Sequence, residues 1–452
     1  MELNNHQIFG HLFEHLSSDW KLKRLSDIVD FQEGPGILAK DFYEEGIPLL
    51  RLSSISEAKT NFNGCNYLDP IKFKKKWSHF TLKEGDILLS TSGSLGRVSE
   101  VAKEQEGSIC YTGIIRFRPK IKELKYSYIK YFLQSKLFEQ QALACASGSV
   151  LKHFGPSHLK TMSIPLPDEK HQSYIEKQIR PIDDKIALNN KTNEILGQIA
   201  QALFKSWFVD FDPVKAKAEG GELDVIASEL GISKEILALF PDEFEESQLG
   251  LIPKGWEVKS LDKIAHYQNG LALQKFRPED ENDFLPVVKI AQLNKGFADG
   301  EEKASPNIKP ECIINNGDVI FSWSGSLIVD IWCGGKAALN QHLFKVTSND
   351  YPKWFYLFYT KQHLDNFQRI ASGKAVTMGH IKREHLTQAL CVVPNEIFLA
   401  KISKFIGDIV QKIIDVRLEN QTLTQLRDTL LPKLLSGEIT IDSAIKTDSI
   451  KA

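Results

Sequence analysis

WKLKRLSDIVDFQEG, Trp20–Gly34, is answered by WEVKSLDKIAHYQNG, Trp256–Gly270. Working outward, GDILLSTSGSL at Gly85–Leu95 returns as GDVIFSWSGSL at Gly317–Leu327, and the ASG of Ala146–Gly148 returns at Ala371–Gly373. Three blocks recur in one order at nearly constant spacing. The period is far too long for a solenoid, whose units run roughly 20–50 residues. One domain is therefore written twice on a single chain, an arrangement suited to a ligand with two similar halves.

The bulk properties bound what such a chain can be. Its 452 residues suffice for about three domains. The hydrophobic content of 42% and charged content of 25% are those of ordinary soluble protein. No apolar run is long enough to predict a membrane-spanning helix, and His6, His11, Glu14 and His15 argue against a signal peptide. Six scattered cysteines (65, 110, 145, 312, 333 and 391) form no Cys-x-x-Cys pair. They fit buried apolar residues in a reducing cytoplasm. A stand-alone DNA binder usually carries a basic surplus. With a net charge of −2, this chain either avoids nucleic acid or binds it through local patches and a partner subunit.

Within each copy, short β-rich runs alternate with turn signals. Ile47–Leu52, Asp86–Ser90 and Ile114–Arg118 are expected strands, followed by a helix over Ser127–Leu143. The second copy repeats this with Leu285–Ile290, Asp318–Ser322, Leu343–Val346 and a helix from Lys353 to Ile370. After each copy the periodicity changes. Ile175, Ile179, Ile182, Ile186, Asn189, Asn193, Leu196, Ala200 and Leu203 follow steps alternating four and three, a heptad seam. Pro165, Leu166 and Pro167 precede this helix, Asp168 is its expected N-cap, and Pro181 is expected to kink or break it. After Pro394 the seam recurs as Ile402, Ile406, Ile409, Ile413, Val416, Asn420, Leu423, Arg427 and Leu430, with Arg427 the clear lapse. A polar Asn in a seam fixes register at a cost in stability. Its recurrence at one heptad position (Asn193, Asn420) argues that the two helices pack on each other rather than being unrelated amphipathic surface helices. Ile179, Ile182, Ile186, Asn193, Leu196, Ile406, Ile409, Ile413, Asn420 and Leu423 are the expected pairing residues. The predicted class is α+β: two tandem mixed α/β domains separated by two long helices that form an antiparallel coiled coil, with pseudo-twofold symmetry.

The plan of globular domain, long helix, globular domain, long helix resembles the specificity subunit of type I restriction–modification systems. The marks are Trp20, Leu25 and Ile28 with Trp256, Leu261 and Ile264, and the Gly-Asp turn before a hydrophobic strand with Ser-Gly-Ser after it. ASGSVLKHFGPSHLKTMSIPLPDEKHQSYI, FVDFDPVKAKAEG, LGLIPKGWEV and LPKLLSGEI at Leu431–Ile439 are also similar to family segments, so the likeness covers about 18–440. The resemblance implies an N-terminal segment (1–17), a first target recognition domain (18–164), a spacer helix (165–211), a connector (212–255), a second recognition domain (256–392), a second spacer helix (393–436) and a C-terminal tail (437–452). It further implies a non-catalytic, sequence-specific double-stranded-DNA-binding subunit for antiviral defence. Each recognition domain would read one part of a bipartite site, and the helices would set the gap. The helices would also dock two adenine-N6 methyltransferase subunits, and the assembly would recruit restriction subunits. S-adenosylmethionine, ATP and Mg would belong to those partners, with no cofactor or metal in this chain. No homo-oligomer and no membrane are expected.

Base edges want Arg, Lys, Asn, Gln, Ser or Thr; phosphates want Lys, Arg and hydroxyls. Candidates in the first copy are Lys40, Arg51, Lys74, Lys75, Lys76, Ser92, Ser94, Arg97, Lys152 and His153. In the second they are Gln274, Lys275, Arg277, Lys289, Ser324, Ser326, Lys374, Thr377, Lys382 and Arg383. Each has a plain alternative as a solvated surface residue, and Ser-Gly-Ser as simple turn chemistry. The copies also diverge: KFKKKW at Lys72–Trp77 has no counterpart, and Gly96-Arg97 becomes Ile328-Val329. No methyltransferase Asn/Asp-Pro-Pro-Tyr/Phe motif is present, and Gly334-Gly335-Lys336 lacks the rest of a nucleotide loop. Asp330, Cys333 and His342 fall close in sequence, but their spacing favours a strand over a metal site. Two other classes stay open. One is a DNA methyltransferase or nuclease with fused recognition domains; the other is a coiled-coil scaffold that binds proteins.

Overall fold

The computed structural model describes residues 10–14, 16–56, 59–92, 96–145, 154–373 and 379–440. The chain forms two compact units, one of residues 1–188 with 420–452, the other of residues 189–419.

In the first unit, β1 (Lys21–Arg24), β2 (Val29–Glu33), β3 (Ile47–Leu50) and β4 (Asn66–Leu68) precede a short helix α1 (Pro70–Lys76). Then come β5 (Ile87–Ser90), β6 (Val98–Glu100), β7 (Ile109–Cys110) and β8 (Ile114–Pro119). Two helices, α2 (Tyr126–Leu133) and α3 (Lys136–Cys145), lead to β9 (Ser163–Leu166) and the 40-residue α4 (Glu169–Phe208). A four-stranded antiparallel sheet has the order β2-β8-β5-β6. A second sheet, β4-β3-β7, contains a parallel pair, β3 with β7. β1 closes against β9.

The connector is more folded than its charged, Gly-containing sequence suggests. It holds α5 (Asp212–Ala218), α6 (Leu223–Leu230) and a hairpin of β10 (Phe244–Ser247) with β11 (Gly250–Pro253). Val214, Phe240 and Ile252 anchor it in the aromatic core of the second unit, where Trp256 meets Phe208, Phe240 and Phe398 at 5.2–6.5 Å. Aromatic pairs at such separations add to the stabilisation that apolar burial already supplies.

Among the described residues, the second unit repeats the nine strands of the first in order and adds a tenth. Its strands are β12 (Glu257–Ser260), β13 (His266–Asn269), β14 (Leu285–Val288), β15 (Lys303–Ala304), β16 (Ile313–Ile314), β17 (Val319–Ser322), β18 (Val329–Ile331), β19 (Ala337–Leu339), β20 (Leu343–Thr347) and β21 (Leu390–Val393). The sheets are β13-β20-β17-β18 and β15-β14-β19-β16, with β14 parallel to β19, and β12 pairs with β21. Helices α7 (Lys353–Gln362) and α8 (Leu364–Ser372) match α2 and α3, and the 41-residue α9 (Glu396–Ser436) matches α4.

The repeated motifs have physical reasons. Gly85 and Gly317 take left-handed φ of 83° and 88°, conformations that disfavour any side chain. The aspartate after each closes the turn: Asp86 accepts from the Lys83 N–H at 2.8 Å, and Asp318 from the Asn315 N–H at 2.7 Å. Each expected single helix is broken in two, after Leu133 and after Gln362. In the first unit the Ser135 hydroxyl accepts from the Phe138 N–H and opens the second piece there.

Each long helix begins at a matched cap. Asp168 accepts from the His171 N–H at 2.8 Å, and Asn395 from the Phe398 N–H at 2.9 Å. α4 runs through Pro181 unbroken, contrary to the expected interruption. Pro181 is exposed, so the carbonyl that loses its partner there faces solvent rather than the core. In the first unit the start of α4 packs on the end of α9, with Ile175 and Ile179 clustered with Leu431, Leu434 and Leu435. In the second unit the end of α4 packs on the start of α9, through Ala200, Phe204 and Trp207 with Ile402 and Ile406. In both units the helices therefore run antiparallel.

Candidate functional site

The most distinctive matched feature lies where the parallel strand pair of each unit ends. Gly34 and Gly270 each pass so close to the neighbouring chain that a Cβ would meet a carbonyl oxygen, of Cys110 at 2.1 Å or of Leu339 at 2.2 Å. Only glycine fits such an approach. The crossing brings the segment after β7, Tyr111–Gly113, beside the end of β3, and the segment after β19, Asn340–His342, beside the end of β14.

In the first unit Arg51 follows β3 directly. Its backbone N–H donates to the Ser54 hydroxyl at 3.0 Å, and its Nη1 donates to Asn66 Oδ1 at 3.1 Å. The guanidinium lies 4.0 Å from the centre of the Tyr111 ring and 5.5 Å from that of Phe42. Tyr111 is itself fixed, its hydroxyl donating to the Ile37 carbonyl at 3.2 Å. Glu33 accepts from the Thr112 hydroxyl and the Gly113 N–H, both at 3.1 Å. The other guanidinium N–H groups have no partner among the described residues.

In the second unit Lys289 holds the place of Arg51. Its backbone N–H donates to Gln292 Oε1 at 3.3 Å, and its ammonium pairs with Glu302, which occupies the place of Asn66. Gln341 and His342 stand where the first unit has Thr112 and Gly113; their side chains are in contact, Gln341 Nε2 lying 3.3 Å from His342 Nε2. His342 Nδ1 shares a 3.0 Å hydrogen bond with Ser324. Together with Gln274 and Arg277, Lys289, Glu302, Gln341 and His342 line an open cleft of about 530 Å³.

The remaining sequence candidates are dispersed. Lys40 is exposed; Lys74, Lys75 and Lys76 are exposed on the last turn of α1. Lys72 of that helix is engaged by Asp41. Ser92 lies against Gly113, where a Cβ would meet its hydroxyl at 2.2 Å. Arg97 Nη1 donates to the Ile55 carbonyl at 3.2 Å, and its Nε is buried. Gln274, Lys275 and Arg277 are exposed, whereas Ser324 is buried. Ser326 is exposed in a second cleft, with Gly325, Gln368 and Gly379. Lys382 is exposed, and Arg383 donates to the Tyr267 carbonyl at 3.0 Å. Ser94, Lys152, His153, Lys374 and Thr377 lie outside the described residues. Asn66, Tyr111, Glu302, Gln341 and His342 were absent from the sequence candidates. Extending the repeat alignment through the two parallel strand pairs is the signal that finds them.

Asp330, Cys333 and His342 do not come together as ligands. Asp330 is held by Arg417 at 3.0 Å, His342 by Ser324, and Cys333 is buried. Among the described residues no group of three or more His, Cys, Asp or Glu is arranged to hold a metal, and no helix is long and apolar enough to cross a membrane.

Comparison with known proteins gives a consistent result. The model of the type I restriction modification DNA specificity domain matches twice, over residues 17–198 and 253–427. The chain is similar to the type I restriction enzyme MjaIX specificity subunit of Methanocaldococcus jannaschii, 26% identical, covering 94% of this chain and 95% of that one. It is likewise similar to the HindI specificity subunit of Haemophilus influenzae, 25% identical, covering 93% of this chain and 100% of the relative. A crystal structure of a type I system S subunit from M. genitalium aligns over 96% of this chain and 98% of its own, at 14% identity and a TM-score of 0.47.

Proposed function

The chain belongs to the type I restriction modification DNA specificity family, and from that membership we propose how its parts divide the work of recognition. It is the DNA-recognition subunit of a type I restriction–modification system, and is not itself catalytic. The finer reading is that residues 18–164 and 256–392 are two target recognition domains, each reading one half of a bipartite site. The candidate cations and hydroxyls of each domain contact bases and phosphates. α4 and α9 act as the spacer between half-sites and as the seat for two adenine-N6 methyltransferase subunits. Restriction subunits join that assembly, and S-adenosylmethionine, ATP and Mg are bound by the partners.

One observation carries this reading: the family domain occurs twice, in two copies with the same strand order and one added edge strand in the second. Two half-sites read by two related modules is a common geometry of dimeric DNA readers. Fusing the modules lets each half diverge, so the site need not be a palindrome.

The test is a domain exchange. The chain is purified with its methyltransferase partner, and residues 256–392 are replaced by the matching segment of another family member. The methylated sequence should change in one half and keep the other. A methylated sequence untouched by the exchange would overturn the modular reading.

A further inference from the structure

We propose that the matched sites around Arg51 and Lys289 are the base-reading sites of the two recognition domains, with Arg51 specifying a guanine and the Glu302–Gln341 pair specifying a base that presents an amino group. The inference rests on the DNA-recognition reading above and names the residues that discriminate.

Position comes first. Both sites lie at the same place in the repeat, set by the glycine crossing at Gly34 and Gly270 and by the same backbone-to-side-chain bond one residue beyond the strand. The frame is kept while the chemistry at matched places is exchanged. Arg51 becomes Lys289, Asn66 becomes Glu302, and Thr112 becomes Gln341. Readers of two different words require such exchange in their base contacts. A residue serving only the fold gains nothing from it.

Charge and rigidity argue for bases over phosphates. A phosphate contact needs unshielded positive charge. In the cleft beside Lys289 the ammonium is already neutralised by a carboxylate, which leaves Arg277 as the exposed cation there for a phosphate. The carboxylate can instead accept from an amino group, and the Gln341 amide can both accept and donate, the combination that suits cytosine or adenine edges. In the first unit the Arg51 guanidinium is held over the Tyr111 ring and tethered by Asn66 through a single N–H. A fork fixed in this way, with donors left over, matches the O6 and N7 acceptors of guanine. Fixing it before binding lowers the ordering cost of recognition.

The test uses the full chain assembled with its methyltransferase partner, and reads the methylated motif across genomic DNA. Arg51→Gln should weaken selection for guanine at one position of one half-site on the order of tenfold or more, leaving the gap and the other half unchanged. Glu302→Gln should relax one position of the other half only. If Arg51→Gln prevents assembly, Arg51→Lys keeps the charge and loses the fork, and should assemble with the guanine no longer selected. Motifs unchanged by these variants would overturn the proposal. So would a loss of binding equal on all sequences with a shallower salt dependence, the mark of a phosphate contact. If the unaltered complex itself gives no bipartite motif, the failure lies in the parent reading and takes this inference with it.

Discussion

At the scale of single residues, much of the chemistry is set by positions that the sequence shows as unremarkable. Gly34 and Gly270 end the quoted repeat, yet nothing in composition distinguishes them from turn glycines. Their role follows from a chain crossing that exists only after the parallel strands pair. Arg51 and Lys289 were legible as cations in a loop, but their partners were not. Asn66 begins β4 and Glu302 directly precedes β15, and local pattern carries no information about which strands adjoin. His363 is a further case of function set by surroundings. Its Nε2 lies 3.0 Å from the Leu390 carbonyl, and burial pushes its pKa below the usual 6.5, with that hydrogen bond pulling the other way. The folded state therefore binds the proton less readily than the unfolded one. Stability from this group is complete above the unfolded pKa and is lost as pH falls through 6.5 toward the lower folded value. Acidifying from neutral to pH about 5 should destabilise the chain, and His363→Gln should flatten that part of the dependence. Parallel stability profiles of the two proteins would show the assignment wrong.

At the scale of elements, the heptad steps are legible because a helix repeats locally. Every seam position named from the sequence is buried or half-buried in α4 and α9. The end of the α4 seam is stronger than its aliphatic steps suggested, because Phe204, Trp207 and Phe208 bury fully beside it. Arg427, a lapse by pattern, has a structural reason. Its Nη1 lies 3.4 Å from Asp183, which also takes the Lys130 ammonium at 3.0 Å. The side chains are 17%, 7% and 9% exposed for Arg427, Asp183 and Lys130. The seam thus contains a buried Lys130–Asp183 pair joined by the half-buried Arg427, which couples α2 to both long helices. Sequence could not reveal it, because its three members lie far apart along the chain. Arg427 also pairs with Asp428 at 3.1 Å, so removing the central carboxylate leaves the Lys130 ammonium as the buried charge that loses its counter-ion. Asp183→Ala should destabilise the first unit by about 3–5 kcal/mol in denaturant unfolding. Replacing all three residues with apolar side chains of similar size should recover most of that loss. A single variant as stable as the parent would mean that the triad is solvated and contributes little.

At the scale of the whole molecule, the near-neutral charge and the two long helices constrain each other. With 56 basic and 58 acidic residues, the chain has no surplus to hold DNA by its overall field. On the proposed reading, affinity comes from local contacts and from partner subunits, and specificity from engaging two half-sites at once. Simultaneous engagement demands a fixed separation, because a linker of indefinite length gives neither a defined gap nor a high effective concentration. Each of α4 and α9 contributes one part to either unit, and the two pack antiparallel within each. Inserting seven residues into both helices, at Leu188/Asn189 and at Glu419/Asn420, adds one heptad and so keeps the seam in register. It lengthens each helix by about 10 Å, the axial length of about three base pairs. The methylated motif should acquire a longer gap with both half-sites unchanged, or methylation should be lost while the chain stays folded and bound to its partners. An unaltered gap with full activity would show that separation is set elsewhere, and the helices would then serve only to hold partner subunits.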